Sequence, residues 1–394
     1  IDDFYTLGED STIAAIASHP NLELRIFNPF AHRSAARYTE FITDLDRVDH
    51  RMHNKSFTVD NQVAVVGGRN IAEEYFDAKS AWELDDMDVL AVGPVVKGVS
   101  AAFDVFWNSE FAIPAEALVK EEGTPETLKS LRAEHARTVA DPAASVYLDG
   151  LQRSVVENVG DPRLPFFQGP ATVVYDEPAK VTKPHEEART IRSQLASRVH
   201  AARSELMVVS PYFVLPDELI AVFRQLRERG VRVVVLTNSL ASTDVVPVHA
   251  GYRRARRPLL EAGVEMHEIK PDVTFDEEGK SGREFEHTGL HMKSFIIDRR
   301  YMFVGSFNWD PRSAKINTEI GVFVDSPEMA GWGADLLQRQ LPIISYRVRL
   351  DDDGELEWVD ASADGTVVYT REPKAGTWLR FRAWLAAIFP RQEL

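Results

Sequence analysis

Cysteine is absent from the 394 residues. Disulfides, thiolate zinc sites, iron–sulfur clusters and a cysteine nucleophile are therefore excluded, although no cellular compartment follows from that. Also missing is any run of 18 apolar residues, so no segment is long and apolar enough to be a spanning helix. Basic charge is in deficit: 45 Lys and Arg stand against 61 Asp and Glu, a formal net charge of −16. That balance disfavours a general nucleic-acid coat while leaving room for a local basic groove. Compositional bias is low, with 44% hydrophobic and 27% charged residues, which excludes an intrinsically disordered chain. The length suits two domains, or one large one with ample core.

What is present is a long-period internal repeat. His53, Lys55, Asp60, Gly67, Gly68 and Asn70 recur as His291, Lys293, Asp298, Gly305, Ser306 and Asn308, each 238 residues later. Both copies read H-x-K-x4-D-x6-G-[GS]-x-N. Five fixed positions have odds of roughly one in a few million per starting residue, so two copies with one spacing are not accidental. The flanks repeat too. Leu22–Ile26 matches Val264–Ile269, and each motif runs into a polar–apolar alternation, a turn and a second apolar run, as strands do.

Upstream of the second copy, 188–204 has helical spacing through Ile191, Leu195 and Val199. Leu206–Ser210 reads as a buried strand. Pro216–Arg229 is a helix opened by Pro and stopped by Gly230, and Val231–Thr237 reads as a covered parallel strand. This strand–helix–strand block has no counterpart in the first half, where residues 1–4 align with Leu236–Ser239. The first half is expected to be N-terminally truncated by roughly 50 residues or more relative to its twin. We expect a first lobe at 1–140, a Pro- and Gly-rich crossover at 141–187, a second lobe at 188–345 and a tail at 346–394. Within the first lobe, Val95–Asn108 should be a helix with Val99, Ala102, Phe103 and Phe106 inward, and Glu126–Val139 a second helix. The tail should hold strands Leu356–Val359 and Thr366–Thr370. It ends in Trp378–Phe389, a mix of aromatics and arginines. The net charge from Arg371 to Leu394 is +3, and that segment reads either as an interfacial helix or as one packed on its own domain.

The chemistry of the repeat follows from residue type. His and Lys two apart on an extended chain share a face, and the Asn follows a Gly-rich turn that lets backbone approach a ligand. Two copies together gather two imidazoles, two ammonium groups and two amides. Such a set suits a phosphoryl group: lysines neutralise oxygen charge, amides donate hydrogen bonds, one His attacks phosphorus and the other protonates the leaving oxygen. No metal or cofactor is required, because the cations are built in.

These residues are those of the paired H-x-K-x4-D signature of the phospholipase D superfamily, and the chain resembles its bacterial cardiolipin synthase-like branch. Arg51–Phe57, Val66–Ile71, Val209–Phe213, Leu236–Leu240 and Val304–Ser313 carry the resemblance, which covers essentially the whole chain. It implies an α/β fold of two similar lobes, each a mixed sheet flanked by helices, with the active site at the lobe interface. It further implies a phosphohistidine intermediate, with His53 as nucleophile and His291 as general acid and then base. Lys55, Lys293 and Glu319 complete the catalytic set, Glu319 by orienting a histidine. Asn70, Asn308 and Ser306 would bind phosphate. Asp60, Asp298 and Asp88 would support the motifs, Asp88 as the first-half counterpart of Glu319. The implied activity is phosphatidyl transfer to a phospholipid hydroxyl, the alternatives being a hydrolase releasing phosphatidic acid and, less favoured by the charge, a nuclease. Expected partners are phospholipids (phosphatidylglycerol and phosphatidylethanolamine) and a membrane surface. A monomer bound peripherally to the bacterial inner membrane is expected. His249, Tyr252, Arg253 and Arg254 are open to a pocket role or to a helix start with solvated arginines. His19, His32, His50, His135, His185, His200, His267 and His287 lack matching partners and read as ordinary residues.

Overall fold

The computed structural model describes every residue except 5, 7, 34–38, 77–82, 121–122, 141–164, 183–189, 273–287, 363–364 and 388–394. His185, His287 and much of the 141–187 crossover lie outside the described residues. Six short strands form in the first half: β1 (Arg25–Phe27), β2 (Ser56–Val59), β3 (Val63–Gly67), β4 (Glu83–Asp85), β5 (Asp88–Val92) and β6 (Ala112–Pro114). Eleven follow: β7 (Ala171–Tyr175), β8 (Glu205–Val209), β9 (Arg232–Asn238), β10 (Glu265–Ile269), β11 (Thr288–Leu290), β12 (Ser294–Ile297), β13 (Tyr301–Gly305), β14 (Ile320–Asp325), β15 (Ser345–Leu350), β16 (Leu356–Ser362) and β17 (Gly365–Tyr369). The helices that shape the site are α1 (Pro94–Trp107), α2 (Ile191–His200), α3 (Asp217–Glu228), α4 (Val246–Glu261), α5 (Pro327–Ile344) and α6 (Thr377–Ala386).

The second lobe is built on a ten-stranded mixed sheet in the order β17-β16-β15-β10-β9-β8-β12-β13-β14-β7. β8, β9 and β10 are parallel, as the β-branched run at 231–237 implied, and the other pairings are antiparallel. One face buries Phe295, Ile297, Phe303 and Phe323 under Ile191 and Leu195 of α2, Phe223 of α3 and Leu259 of α4. The other buries Ile296, Met302 and Val304 under Ala330, Ala334 and Leu337 of α5. Three strands lie wholly outside the boundaries expected for this lobe, and β15 lies outside them but for its first residue: β7 is in the crossover, and β16 and β17 are in the tail. All three hydrogen-bond into the same sheet. An open sheet edge presents unpaired N–H and C=O groups, and neighbouring extended segments satisfy them.

The first lobe holds the same plan with a gap. Its sheets run β6-β1 and β2-β3-β5, matching β15-β10 and β12-β13-β14. Among the described residues nothing corresponds to β8, β9, α2 or α3. The consequence is a bare apolar face. Phe57, Val59 and Leu90 are 44–66% exposed, while their counterparts Phe295, Ile297 and Phe323 are at most 5% exposed. The opposite face is well covered. Ala64 and Val66 pack against Val96, Val99 and Ala102 of α1 and against Ile320, Val322 and Val324 of β14, which seats the lobes against each other. The expected inward position of Phe103 is wrong. It stacks on Trp107 outside, and Val96 joins the buried stripe instead. The 3-3-4 spacing of Val96, Val99, Ala102 and Phe106 keeps that stripe on one side of the helix.

Asp60 and Asp298 sit past the strand ends, at the first left-handed position of two matching turns. Their φ values are +51° and +54°, followed by Asn61 at +54° and Arg299 at +50°. Two successive left-handed residues make the tight turn whose twist matches a hairpin, and Asp tolerates that conformation better than most residues. Asp298 has a second task. Its carboxylate accepts from the N–H groups of Arg203, Ser204 and Glu205 at 2.7–3.1 Å, tying the hairpin to the start of β8. Asp60 is exposed and makes no such bond among the described residues. Asp298→Ala should therefore lower stability by about 2–3 kcal/mol, and Asp60→Ala by less than about 1 kcal/mol. Urea unfolding of the two variants checks the difference, and equal losses would contradict it.

Candidate active site

Each motif is stitched to the opposite lobe before its own hairpin begins. The N–H of His53 donates to the Thr318 carbonyl at 2.9 Å, and Met52 and Thr318 form a parallel bridge. In the mirror arrangement β11 pairs with β4, and the N–H of His291 donates to the Asp85 carbonyl at 2.7 Å. Backbone pairing thus fixes where each imidazole enters the cleft, and fixes which residue of the other lobe stands beside it.

That residue is a carboxylate in both cases. His53 Nδ1 lies 2.8 Å from Glu319 Oε2, and His291 Nδ1 lies 2.6 Å from Asp86 Oδ2. A carboxylate at Nδ1 holds the proton there and leaves Nε2 with its lone pair toward the cleft. Asp88, expected in this role, instead pairs with Arg69 at 2.7 Å. The ladder explains the shift. Gly305 pairs with Gly321 and Gly67 with Asp88. Two residues before Gly321 is Glu319, and two before Asp88 is Asp86. Extra residues between Asn70 and Asp86 hid that equivalence in the sequence. The Gly68/Ser306 difference belongs to the same pairs. Ser306 Oγ donates to Glu319 Oε2 at 2.5 Å, whereas a Cβ on Gly68 would run into the Asp86 carboxylate.

Glu319 is fully buried and heavily bonded. Ser306 and Ser313 donate to its two oxygens at 2.5 and 2.7 Å, and its N–H donates to Asp176 at 2.9 Å. Burial alone would push its pKa up, but His53, Lys55 and Ser306 outweigh burial and hold it below the ordinary value. Ser306 is 0% exposed and spends its hydrogen on Glu319, so the phosphate contact expected of it is not available. It supports the carboxylate that supports His53.

The cations form one cluster. Burial is the main cause that lowers Lys55 to about 7 and Lys293 to about 8, and each is also held near carboxylates that raise it. Lys293 further depresses Lys55 and His53, while Lys55 depresses His291. Both imidazoles are lowered, chiefly by burial, and His291 well below its ordinary value. Both are therefore neutral near pH 7 in the free protein. Lys55 Nζ donates to the His53 carbonyl at 2.9 Å, and Lys293 Nζ donates to the His291 carbonyl and also lies 2.8 Å from His291 Nδ1, which it shares with Asp86.

The amides flank the cleft. Asn70 Nδ2 donates to Tyr75 Oη at 2.8 Å, and that oxygen lies 3.4 Å from His291 Nε2. Asn308 is 3% exposed, and its Oδ1 is without a hydrogen-bond partner among the described residues. Tyr212 sets its ring edge toward His291 and donates to Asp244 at 2.6 Å. Asp86, Tyr75, Tyr212 and Ser313 were given no role by the sequence reading, although Tyr212 and Ser313 stand in stretches that carry the resemblance; Tyr75 had no local signal. His249 and Tyr252 belong to the helix reading rather than to a pocket. They are buried in α4 beside Arg256, Glu268 and Glu372, while Arg253 and Arg254 face outward.

This site has relatives. The family described as "Cardiolipin synthase, PLD-like domain" matches residues 195–340. Cardiolipin synthase C of Escherichia coli K12 is 36% identical over 401 residues, covering 100% of this chain and 83% of that protein. An uncharacterized protein of Helicobacter pylori J99 is 29% identical over 400 residues, covering 100% of this chain and 78% of that one. Among solved structures, phosphatidylserine synthase of Haemophilus influenzae Rd KW20 aligns with a TM-score of 0.50 at 15% identity. That alignment covers 77% of this chain and 64% of the other, and it speaks to fold alone. With two lobes sharing one cleft and a relative 36% identical across the whole of this chain, the chain belongs to the phospholipase D-like cardiolipin synthase family.

Proposed function

We propose that the protein is a phosphatidyltransferase of the cardiolipin synthase type, working through a phosphohistidine. One observation carries the reading: each imidazole has its Nδ1 held by a carboxylate from the opposite lobe, so two Nε2 atoms serve one cationic cleft. In this reading His53 attacks phosphorus. Lys55 and Lys293, with Asn70 and Asn308, stabilise the charge on the equatorial oxygens. His291 gives a proton to the leaving alcohol and later takes one from the acceptor hydroxyl. An acid must first be protonated, and burial beside two lysines opposes that in the free protein. A bound phosphodiester brings negative charge into the cluster, relieves the repulsion and lets His291 take up a proton with the substrate. The substrates proposed are phosphatidylglycerol and phosphatidylethanolamine, met at the inner-membrane surface by a monomer. The name of one relative, cardiolipin synthase C, supports a lipid acceptor.

The test is incubation with phosphatidylglycerol vesicles, with and without phosphatidylethanolamine, followed by lipid mass spectrometry. Cardiolipin formation unaffected by EDTA is expected, since the two lysines supply the positive charge. Phosphatidic acid as the sole product would replace this reading with a hydrolase. Unchanged lipid with cleaved DNA would replace it with a nuclease.

A further inference from the structure

The tail helix α6 carries two unlike faces. Ala383 and Ala386 are buried, and Ala383 and Leu379 pack with Leu240, Val246 and Ala375. On the other side Trp378, Phe381, Trp384 and Leu385 are 46–70% exposed. The three aromatic rings stack in sequence, with centroids 5.6 and 5.9 Å apart and planes within 28°. Four large apolar side chains on one exposed helix face are more than scattered surface residues, which need no explanation. The helix is also firmly mounted. Glu372, just before it, pairs with the buried Arg256 at 3.0 Å, and Arg254 donates to the Ala387 carbonyl at its end.

We propose that this face of α6 docks the protein on an anionic lipid bilayer, the aromatic ladder entering the headgroup boundary. Charge selects that occupant. The chain carries −16 overall, yet residues 371–394 carry +3, the exposed Arg382 lies on this helix and the exposed Arg254 reaches its last turn. Anionic lipid is repelled by the molecule as a whole and attracted here. A second copy of the chain would bring the same arginines against each other. Tryptophan and arginine around an apolar helix face are the chemistry of an interfacial helix. Position adds to this. Leu240 and Val246, on which α6 rests, flank the loop bearing Asp244, which holds Tyr212 at the edge of His291. Docking through α6 therefore brings the bilayer to the wall of the cleft. The inference rests on the lipid reading above for its occupant, and it names the surface that presents the site to substrate.

Co-sedimentation of the full chain with vesicles of equal parts phosphatidylglycerol and phosphatidylcholine tests it. The triple variant Trp378→Ser, Phe381→Ser, Trp384→Ser should lose on the order of 10-fold or more in vesicle partition. These side chains are mostly exposed, and an unchanged melting temperature checks that the fold is kept. Arg382→Glu should weaken binding about 5-fold or more, and less so at high salt. His53→Ala should partition like wild type, which separates docking from catalysis: if it sediments while the wild type yields no lipid product, the docking inference stands and the transferase reading falls. Wild-type protein that stays in the supernatant, or a triple variant that sediments as wild type does, would overturn the docking inference. So would a wild-type dimer abolished by the triple variant.

Discussion

His53→Ala should abolish phosphodiester transfer, lowering turnover by at least about 10⁴-fold, because on the proposed assignment it removes the atom that forms the covalent bond. His291→Ala should be as damaging with a lipid alcohol as leaving group, but for a different reason. It removes the proton donor, so a p-nitrophenyl ester, whose leaving group needs no proton, should recover about 10²-fold or more. Rapid-quench trapping of the phosphoenzyme distinguishes the two roles. His291→Ala should accumulate it with the activated ester, and His53→Ala should never form it. The reverse pattern would exchange the assignments. The acid limb of the pH profile should lie below the ordinary imidazole value, because burial lowers His53. A nucleophile with a lowered pKa keeps its lone pair to more acidic pH, so the acid half-point of turnover should lie on the acid side of that of a free imidazole, and a half-point on its alkaline side would contradict the reading.

Replacing the orienting carboxylates should have the next largest effects. Glu319→Gln puts an amide where Nδ1 needs an acceptor. The amide can turn its NH2 toward the ring and favour the tautomer with Nε2 protonated, which cannot attack phosphorus. About 10²–10⁴-fold is expected from turnover, by analogy with the effect of such a change in a serine protease triad. Asp86→Asn should act on the other histidine, so its loss should be large for lipid esters and small for p-nitrophenyl esters. The discriminating control is Asp88→Asn. Asp88 pairs with Arg69 on a partly exposed edge, and an ion pair of that kind is worth about 1 kcal/mol or less, so the loss should stay within about 10-fold. A larger effect from Asp88→Asn than from Asp86→Asn would contradict the assignment of Asp86 to His291.

The two histidines differ in burial, and this bears on which leads. The His53 side chain is 23% exposed and that of His291 is 5% exposed. The more open imidazole backs onto the better-satisfied carboxylate, Glu319, which receives two serine hydroxyls. Asp86 lacks that support. Burial raises its pKa, opposed chiefly by Lys293. A stable anion suits the histidine that must remain a neutral nucleophile with a fixed tautomer. A less committed carboxylate suits one that must gain and lose a proton.

Much of this was legible before any coordinates. His53 with Lys55 and His291 with Lys293 follow from a spacing of two on extended backbone, and the hairpins follow from alternation broken by a turn. Those are local patterns, and a strand's period of two is set by its own geometry. The block that holds β8 and β9 was likewise visible as one without a counterpart among the residues of the first half. Ser306 was not. Its residue type permits a phosphate contact, and only the 2.5 Å bond to Glu319 assigns its hydrogen elsewhere. The two tail strands were legible, but their membership of the second lobe's sheet, through pairing of β16 with β15 and of β17 with β16, was not.

The absence of cysteine, the two H-x-K copies and the acidic surplus determined by themselves which groups could act and which could not. Residue identity and short spacing are complete in the sequence. The partnership of each histidine was decided only by tertiary structure. His53 and Glu319 are 266 residues apart, and His291 and Asp86 are 205 apart. Which carboxylate meets which ring depends on the register of β5 and β14 against their neighbours, where a step of two residues along one face exchanges Asp86 for Asp88. The docking face of α6 was decided in the same way, because a helix of aromatics and arginines has no outside until Ala383 and Leu379 find something to pack against.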